Sequence, residues 1–214
     1  MFSLKVIFPL FFTVFCFLIW AENRQRKIIS DETYNYVFYV STDSIKNYEN
    51  SKKYYWYKSG EIHSSAGGNH GDLLDGQYTK SYRDSSIVEQ GGFKKGLKNA
   101  VWKEWYSNGS LKRTIEWKEG FRSGWTIEYD NKGEIIEGGR FKENKKNGIW
   151  INGETKDTLQ FKQGIQIKKE NQKKFKDKVG IFLKSIFSRK EKDSLENKNS
   201  KKDRVKKRKR IKRK

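Results

Sequence analysis

The stretch Ala100-Val-Trp102-Lys-Glu-Trp105-Tyr-Ser-Asn-Gly109-Ser-Leu111-Lys-Arg-Thr-Ile115-Glu-Trp117-Lys-Glu-Gly120 decides the fold. It opens with an aromatic-rich extended run and reaches a turn at Ser107-Asn-Gly109. From Leu111 to Trp117 apolar and polar residues then alternate at a period of two, the mark of a strand with one covered face. Lys118-Glu-Gly120 makes a second turn. Glycine and asparagine tolerate the positive φ that closes a short hairpin. One such unit is a β-hairpin.

The unit recurs. Trp56-Tyr-Lys-Ser-Gly60-Glu-Ile62 and Tyr129-Asp-Asn-Lys-Gly133-Glu-Ile135 resemble Trp105 to Leu111, and Tyr82 to Val88 fits with Ser86 in place of glycine. The leading aromatics Trp56, Tyr82, Trp105 and Tyr129 recur at spacings of 26, 23 and 24. A second register places Phe93, Trp117, Phe141 and Phe161, each followed by lysine, at spacings of 24, 24 and 20. Gly96, Gly120 and Gly164 follow three residues behind, with Asn144 in that place after Phe141. The reading is a repeat with a period of about 24 residues, built as an elongated, single-layer antiparallel meander of hairpins. Its ring positions are Trp56, Tyr82, Phe93, Trp102, Trp105, Trp117, Trp125, Tyr129, Phe141, Trp150 and Phe161. Its turn glycines are Gly60, Gly109, Gly120, Gly133 and Gly164.

Composition agrees. Of 214 residues, 34% are apolar and 34% charged, against about 45–50% and 25% in ordinary domains. Aromatics reach 15%, too many for a wholly disordered polyelectrolyte. Aromatic pairs must supply the packing, at about 0.5–1.5 kcal/mol each beyond area burial. A single proline fits a body rich in ladder hydrogen bonds.

The pattern G-x-W-x-x-[YW]-x-x-x-G-x-[IL]-x(5)-[WF]-K-x-G resembles the variant MORN repeat of bacterial YwqK-like proteins. Its best copies run from Ala100 to Gly120 and from Gly124 to Lys142, and the resemblance covers about residues 54–164. Ser86, Ala100 and Asn144 depart from the glycine positions, and an insert at His63–Asp75 interrupts the first copy. The resemblance implies an open antiparallel sheet used for binding or scaffolding. Some relatives are antitoxins and others bind membranes.

The chain carries 47 Lys+Arg and 26 Asp+Glu, a net charge of +21. Residues 165–214 hold 22 of the cations and only 6 of the acids, leaving +5 on residues 1–164. From Lys173 to Lys190, Phe175, Val179, Phe182 and Ile186 fall on one helical face flanked by lysines. That is a basic amphipathic helix suited either to an anionic membrane or to capping the sheet. Residues 191–214 read as a disordered polybasic tail, with Lys206, Lys207, Arg208, Lys209 and Arg210 at its centre.

At the other terminus, the run from Val6 to Trp20 carries no charge. Residues 1–21 are therefore a secretory signal or a membrane anchor, both hydrophobic helices. Phe15 stands where a lipoprotein motif before Cys16 needs a small residue. Residues 22–50 read as a lead-in, 51–164 as the hairpin repeats and 165–190 as the amphipathic helix.

One cysteine excludes a disulfide framework or a multi-cysteine zinc site. His63 and His70 lie near Asp72 and Asp75 in a Ser/Gly/Asn-rich stretch, which reads as a solvated loop rather than a metal site. No nucleophile elbow, His-Glu-x-x-His or phosphate loop is present. The expectation is a protein that is not an enzyme and needs no cofactor or small-molecule substrate. The first reading is a repeat scaffold that binds a protein partner and associates with a membrane or another anionic surface of the bacterial envelope. The second is an antitoxin-like immunity protein that blocks a toxin through its sheet. The third is sequence-blind nucleic-acid binding through the tail, with Tyr54, Tyr55 and Tyr57 offering off-register rings for contact.

Overall fold

Runs such as Tyr34-Asn-Tyr-Val-Phe-Tyr-Val-Ser41 and Leu111-Lys-Arg-Thr-Ile115-Glu-Trp117-Lys118 are dense in β-branched and aromatic residues and are closed off by Gly, Asn, Asp and Ser. That is a strand-and-turn grammar throughout. The structure, a computed structural model, describes residues 24–167. The N-terminal apolar segment, the amphipathic segment and the polybasic tail lie outside the described residues. Thirteen strands follow one another: β1 (Arg24–Ser30), β2 (Tyr34–Ser41), β3 (Lys53–Lys58), β4 (Glu61–Ala66), β5 (Asp72–Tyr82), β6 (Ile87–Lys94) and β7 (Leu97–Trp105). Then come β8 (Leu111–Lys118), β9 (Phe121–Tyr129), β10 (Ile135–Lys142), β11 (Lys145–Asn152), β12 (Thr158–Lys162) and β13 (Ile165–Ile167). No helix occurs among the described residues. The chain divides into two compact units between Ala100 and Val101, inside β7.

In the first unit β1 pairs β2, β2 pairs β5 and β5 pairs β6, all antiparallel. The β3–β4 hairpin branches from this path, with Trp56 opposite Leu73 and Tyr57 opposite Asp72. Phe38, Val40, Leu73 and Leu74 are fully enclosed. Residues 22–50, expected as a lead-in, therefore contribute two strands and part of the core. Their run Tyr34–Ser41 is strand-forming but does not follow the repeat pattern, so repeat alignment passed over it. Likewise the interrupting residues 63–75 carry the end of β4 and the start of β5.

The second unit is a sequential antiparallel meander from β8 to β13. Cross-strand partners share a face. One face gathers Ile127, Tyr129 and Ile151, with Leu111, Trp125, Ile135 and Ile149 packed against them. On the other, Trp150 stands edge-on between Phe141 and Phe161, with centroids at 5.0 and 6.3 Å.

Two kinds of turn alternate along the chain. Tight two-residue turns fall at Ser59-Gly60, Lys95-Gly96, Glu119-Gly120, Glu143-Asn144 and Gln163-Gly164, with φ positive at both positions, from 49° to 88°. This is the type I′ geometry that matches the strand twist. Wider turns span Tyr82–Ser86, Tyr106–Ser110 and Asp130–Glu134. In each, the first N–H donates to the last carbonyl and the fourth N–H donates back to the first carbonyl. Their fourth residues, Ser85, Gly109 and Gly133, have φ of 73°, 80° and 87°. The turn residue in the first of these is thus Ser85, one place before the Ser86 expected from sequence. Trp56-Tyr-Lys-Ser-Gly60 closes a tight turn, not a wide one.

Candidate binding surface

Strand alternation sends every second side chain to the same side, and in the first unit that side collects tyrosines and lysines. Tyr34 faces Tyr82 at 5.4 Å and Tyr36 at 6.3 Å, and Lys80 Nζ lies 3.7 Å over the Tyr34 ring. Phe38 packs on Tyr57, over which Lys27 Nζ stands at 5.7 Å. Tyr55 packs on Phe93, with Lys53 Nζ 5.4 Å from the Tyr55 centroid.

Asp31 organises the β1–β2 turn. Its carboxylate accepts hydrogen bonds from the N–H groups of Tyr34 and Thr33 and from the Tyr36 hydroxyl. The Tyr34 N–H contributes most to holding the Asp31 carboxyl below its usual range, followed by the Tyr36 hydroxyl. Burial, then the bond to Asp31, pushes the Tyr36 phenol up to about 12. Burial likewise raises Tyr55 and Tyr78.

The second unit repeats the theme with other cations. Arg122 Cζ lies 4.2 Å over Phe141, Arg140 Cζ 5.2 Å over Trp125, and Lys146 Nζ 4.0 Å over Trp150. Lys146 also pairs with Glu137 at 2.6 Å, and Arg113 bridges Glu104 and Glu128. The turns of a meander alternate between its two ends, so the tight turns share one end. The Asn144 N–H donates to the Arg122 carbonyl, and the Gly164 N–H donates to the Lys146 carbonyl. Asn144 Oδ1 accepts from the Arg122 N–H. At the other end the wide turns meet around an open cleft of about 460 Å³, lined by Tyr106, Ser107, Asn108, Asp130 and Asn131. Asn108 Nδ2 and Ser110 Oγ both donate to the Asn131 carbonyl there, and the Tyr106 hydroxyl donates to that of Tyr129.

The ring positions named from sequence do not share one environment. Trp56, Phe93, Trp102, Tyr129 and Trp150 are buried; Tyr82, Trp105, Trp117, Trp125, Phe141 and Phe161 are half-buried. Gly60, Gly109, Gly120, Gly133 and Gly164 all have positive φ. Of the off-register tyrosines, Tyr54 is enclosed against Tyr48, while Tyr55 and Tyr57 stand on the tyrosine–lysine side. Tyr34, Tyr36, Lys27 and Lys80 were missed, although the alternation of Tyr34–Ser41 marked a strand with one ring-bearing side. His63 stacks on Trp56 at 4.6 Å and His70 meets the same indole edge-on at 5.7 Å. Among the described residues no three His, Cys, Asp or Glu side chains gather to hold a metal ion, and no helix is long and apolar enough to cross a membrane. No protein-family model matches the chain, and no curated protein matches it.

Proposed function

We propose that the chain is a non-enzymatic binding scaffold of the variant MORN type, with hairpin repeats of a period of about 24 residues. The sheet takes a protein partner, and the basic C-terminal segments hold the molecule at an anionic membrane or envelope surface. The observation that carries this reading is the set of cations laid over aromatic rings instead of against carboxylates. Lys80 over Tyr34 and Arg122 over Phe141 have no carboxylate within ion-pair distance among the described residues. A cation so held keeps its charge for an outside anion while its ring supplies apolar area, the mixture typical of protein interfaces. Single-stranded nucleic acid instead needs open ring faces on which bases stack, and here the faces of Tyr34, Phe141 and Trp150 are covered by Lys80, Arg122 and Lys146.

Flotation with vesicles containing anionic lipid tests the surface role. Glutamine in place of Lys206, Lys207, Arg208, Lys209 and Arg210 removes five cations worth about 1 kcal/mol each near such a leaflet. The vesicle-bound fraction is expected to fall more than tenfold, and high salt is expected to release the unaltered chain. An unchanged bound fraction overturns the tail's role.

A further inference from the structure

The residues that break the repeat pattern, 63–75, leave an open strand edge in the first unit. Among the described residues β4 pairs β3 and no other strand. Lys58 stands opposite Glu61 across the tight turn at Ser59-Gly60, and the residues flanking a two-residue hairpin exchange both of their backbone hydrogen bonds. Bonded pairs alternate along an antiparallel ladder, so they recur at Trp56–His63 and Tyr54–Ser65. The Gly67 N–H, donating to the Lys52 carbonyl, keeps the same step. Ile62, Ser64 and Ala66 therefore turn their N–H and C=O groups away from β3. No backbone partner meets those groups among the described residues. Ser64 and Ala66 are small and exposed, so nothing shields the edge there.

An open edge invites a further strand, and proteins guard such edges by shortness, by lysine or by proline. β1 also pairs on one side only, and it carries Arg24, Arg26 and Lys27. β13 does the same and is three residues long. β4 has six residues, Glu61-Ile-His-Ser-Ser-Ala66, and none of these guards. Charge singles out the same place. From Ser59 to Thr79 the chain has no Lys or Arg, the longest such stretch in a sequence with 47 of them, and it carries Glu61, Asp72 and Asp75. Copies of a chain with a net charge of +21 repel one another in most approaches. An approach through β4 brings no cations of the two edges together.

We infer that the outer edge of β4 is where two copies of this chain pair, β4 against β4, antiparallel about a two-fold axis at Ser64. In that register Ser64 meets Ser64 of the second copy, and Ile62 and Ala66 meet its Ala66 and Ile62. Every open N–H and C=O group of the edge is then bonded. His63 faces Ser65 of the second copy, and no like charges stand opposite each other. Moving the axis to His63 would bond only Ile62 and Ser64, leave Ala66 open and set two imidazoles together. A strand from an unrelated protein draws its specificity from pockets for alternate side chains, and Ser64 and Ala66 form none. A two-fold pair needs no pocket, because each contact occurs twice. The pairing uses neither the tail nor the cation-covered rings, so it stands or falls apart from the scaffold reading.

Sedimentation equilibrium of the full chain at about 0.1 mM tests this, with a dimer as the expected result. Ser64→Pro removes the central N–H of the edge. That N–H faces away from β3, so the hairpin keeps its own ladder, while the dimer's dissociation constant is expected to rise more than about tenfold. S64K and S64E each set like charges opposite one another across the axis and are expected to weaken the dimer about fivefold. An equimolar mixture of S64K and S64E chains is expected to pair at least as tightly as the unaltered chain, because there a lysine meets a glutamate. A monomeric unaltered chain overturns the proposal. So does a dimer indifferent to Ser64→Pro, as pairing through the apolar run from Val6 to Trp20 would be. Weakening by both charges with no recovery in the mixture places Ser64 away from the axis and overturns the two-fold pairing.

Discussion

Gly139 shows what a single side chain decides in a sheet with so few aliphatic residues. It lies on β10 beneath the indole of Trp150, and a Cβ built on it falls 2.2 Å from Trp150 Cδ2. Trp150 is 2% exposed and donates its Nε1–H to the Arg140 carbonyl at 3.1 Å. The missing side chain is therefore the seat of the ring, and Gly139→Ala forces the indole off a well-packed position. Overpacking of this kind costs about 1–3 kcal/mol. Gly133 has nothing within 4 Å of a built Cβ, yet its φ is +87°. Gly133→Ala thus pays only for left-handed backbone, about 1–2 kcal/mol. Urea denaturation is expected to show both losses, but only Gly139→Ala is expected to shift the tryptophan fluorescence of the folded state. Unchanged fluorescence would mean that the indole has another seat.

The β1–β2 hairpin gives the same logic a pH dependence. The Tyr36 phenol is raised from its ordinary value to about 12 by burial and by its bond to Asp31. A group with a raised folded pKa contributes stability that is full below its unfolded value, about 10, and is lost as pH rises through about 12. The Asp31 carboxyl is lowered, chiefly by the Tyr34 N–H. Its contribution is present above about pH 4 and fades as pH falls through its folded value. Spectrophotometric titration is expected to show several late-ionising tyrosines, and Tyr36→Phe is expected to remove one tyrosine's worth of amplitude near pH 12. An unchanged late phase would assign it elsewhere, with Tyr78, also raised by burial, as the first place to look. This hairpin is also where sequence reading failed, for a physical reason. Turn chemistry was legible because positive φ at Gly109, Gly120 and Gly133 leaves a glycine in the sequence. Tight and wide turns both place an aromatic shortly before a glycine, however, so Trp56–Gly60 was merged with Trp105–Gly109. Strands β1 and β2 lack those glycines and stayed hidden, although Phe38 and Val40 are wholly enclosed. The lysine before each tight turn was visible in Phe141-Lys142 and Phe161-Lys162.

Over the whole chain the net charge of +21 falls unevenly, with +16 in residues 165–214 and +5 in residues 1–164. Self-repulsion destabilises a compact state when like charges are close on it. Beyond about 10 Å at 0.1 M salt it is screened. Residues 1–164 are nearly balanced at 25 cations to 20 acids, and ion pairs such as Lys98–Glu89 and Lys146–Glu137 link neighbouring strands locally. Residues 204–214 hold only two apolar side chains, Val205 and Ile211, so they have little to bury against a sheet. Surface binding and folding stability should then respond differently to ionic strength. Between about 0.05 M and 0.5 M salt, where the Debye length falls severalfold, the melting temperature is expected to move by less than about 3 °C, which corresponds to under about 1 kcal/mol for a body of this size. Vesicle association over the same range is expected to collapse. A melting temperature that climbs steeply with salt, and ceases to do so when the tail cations are replaced by glutamine, would show instead that the tail's charge presses on the sheet. The basic segments would then be a strain on the fold as well as a tether.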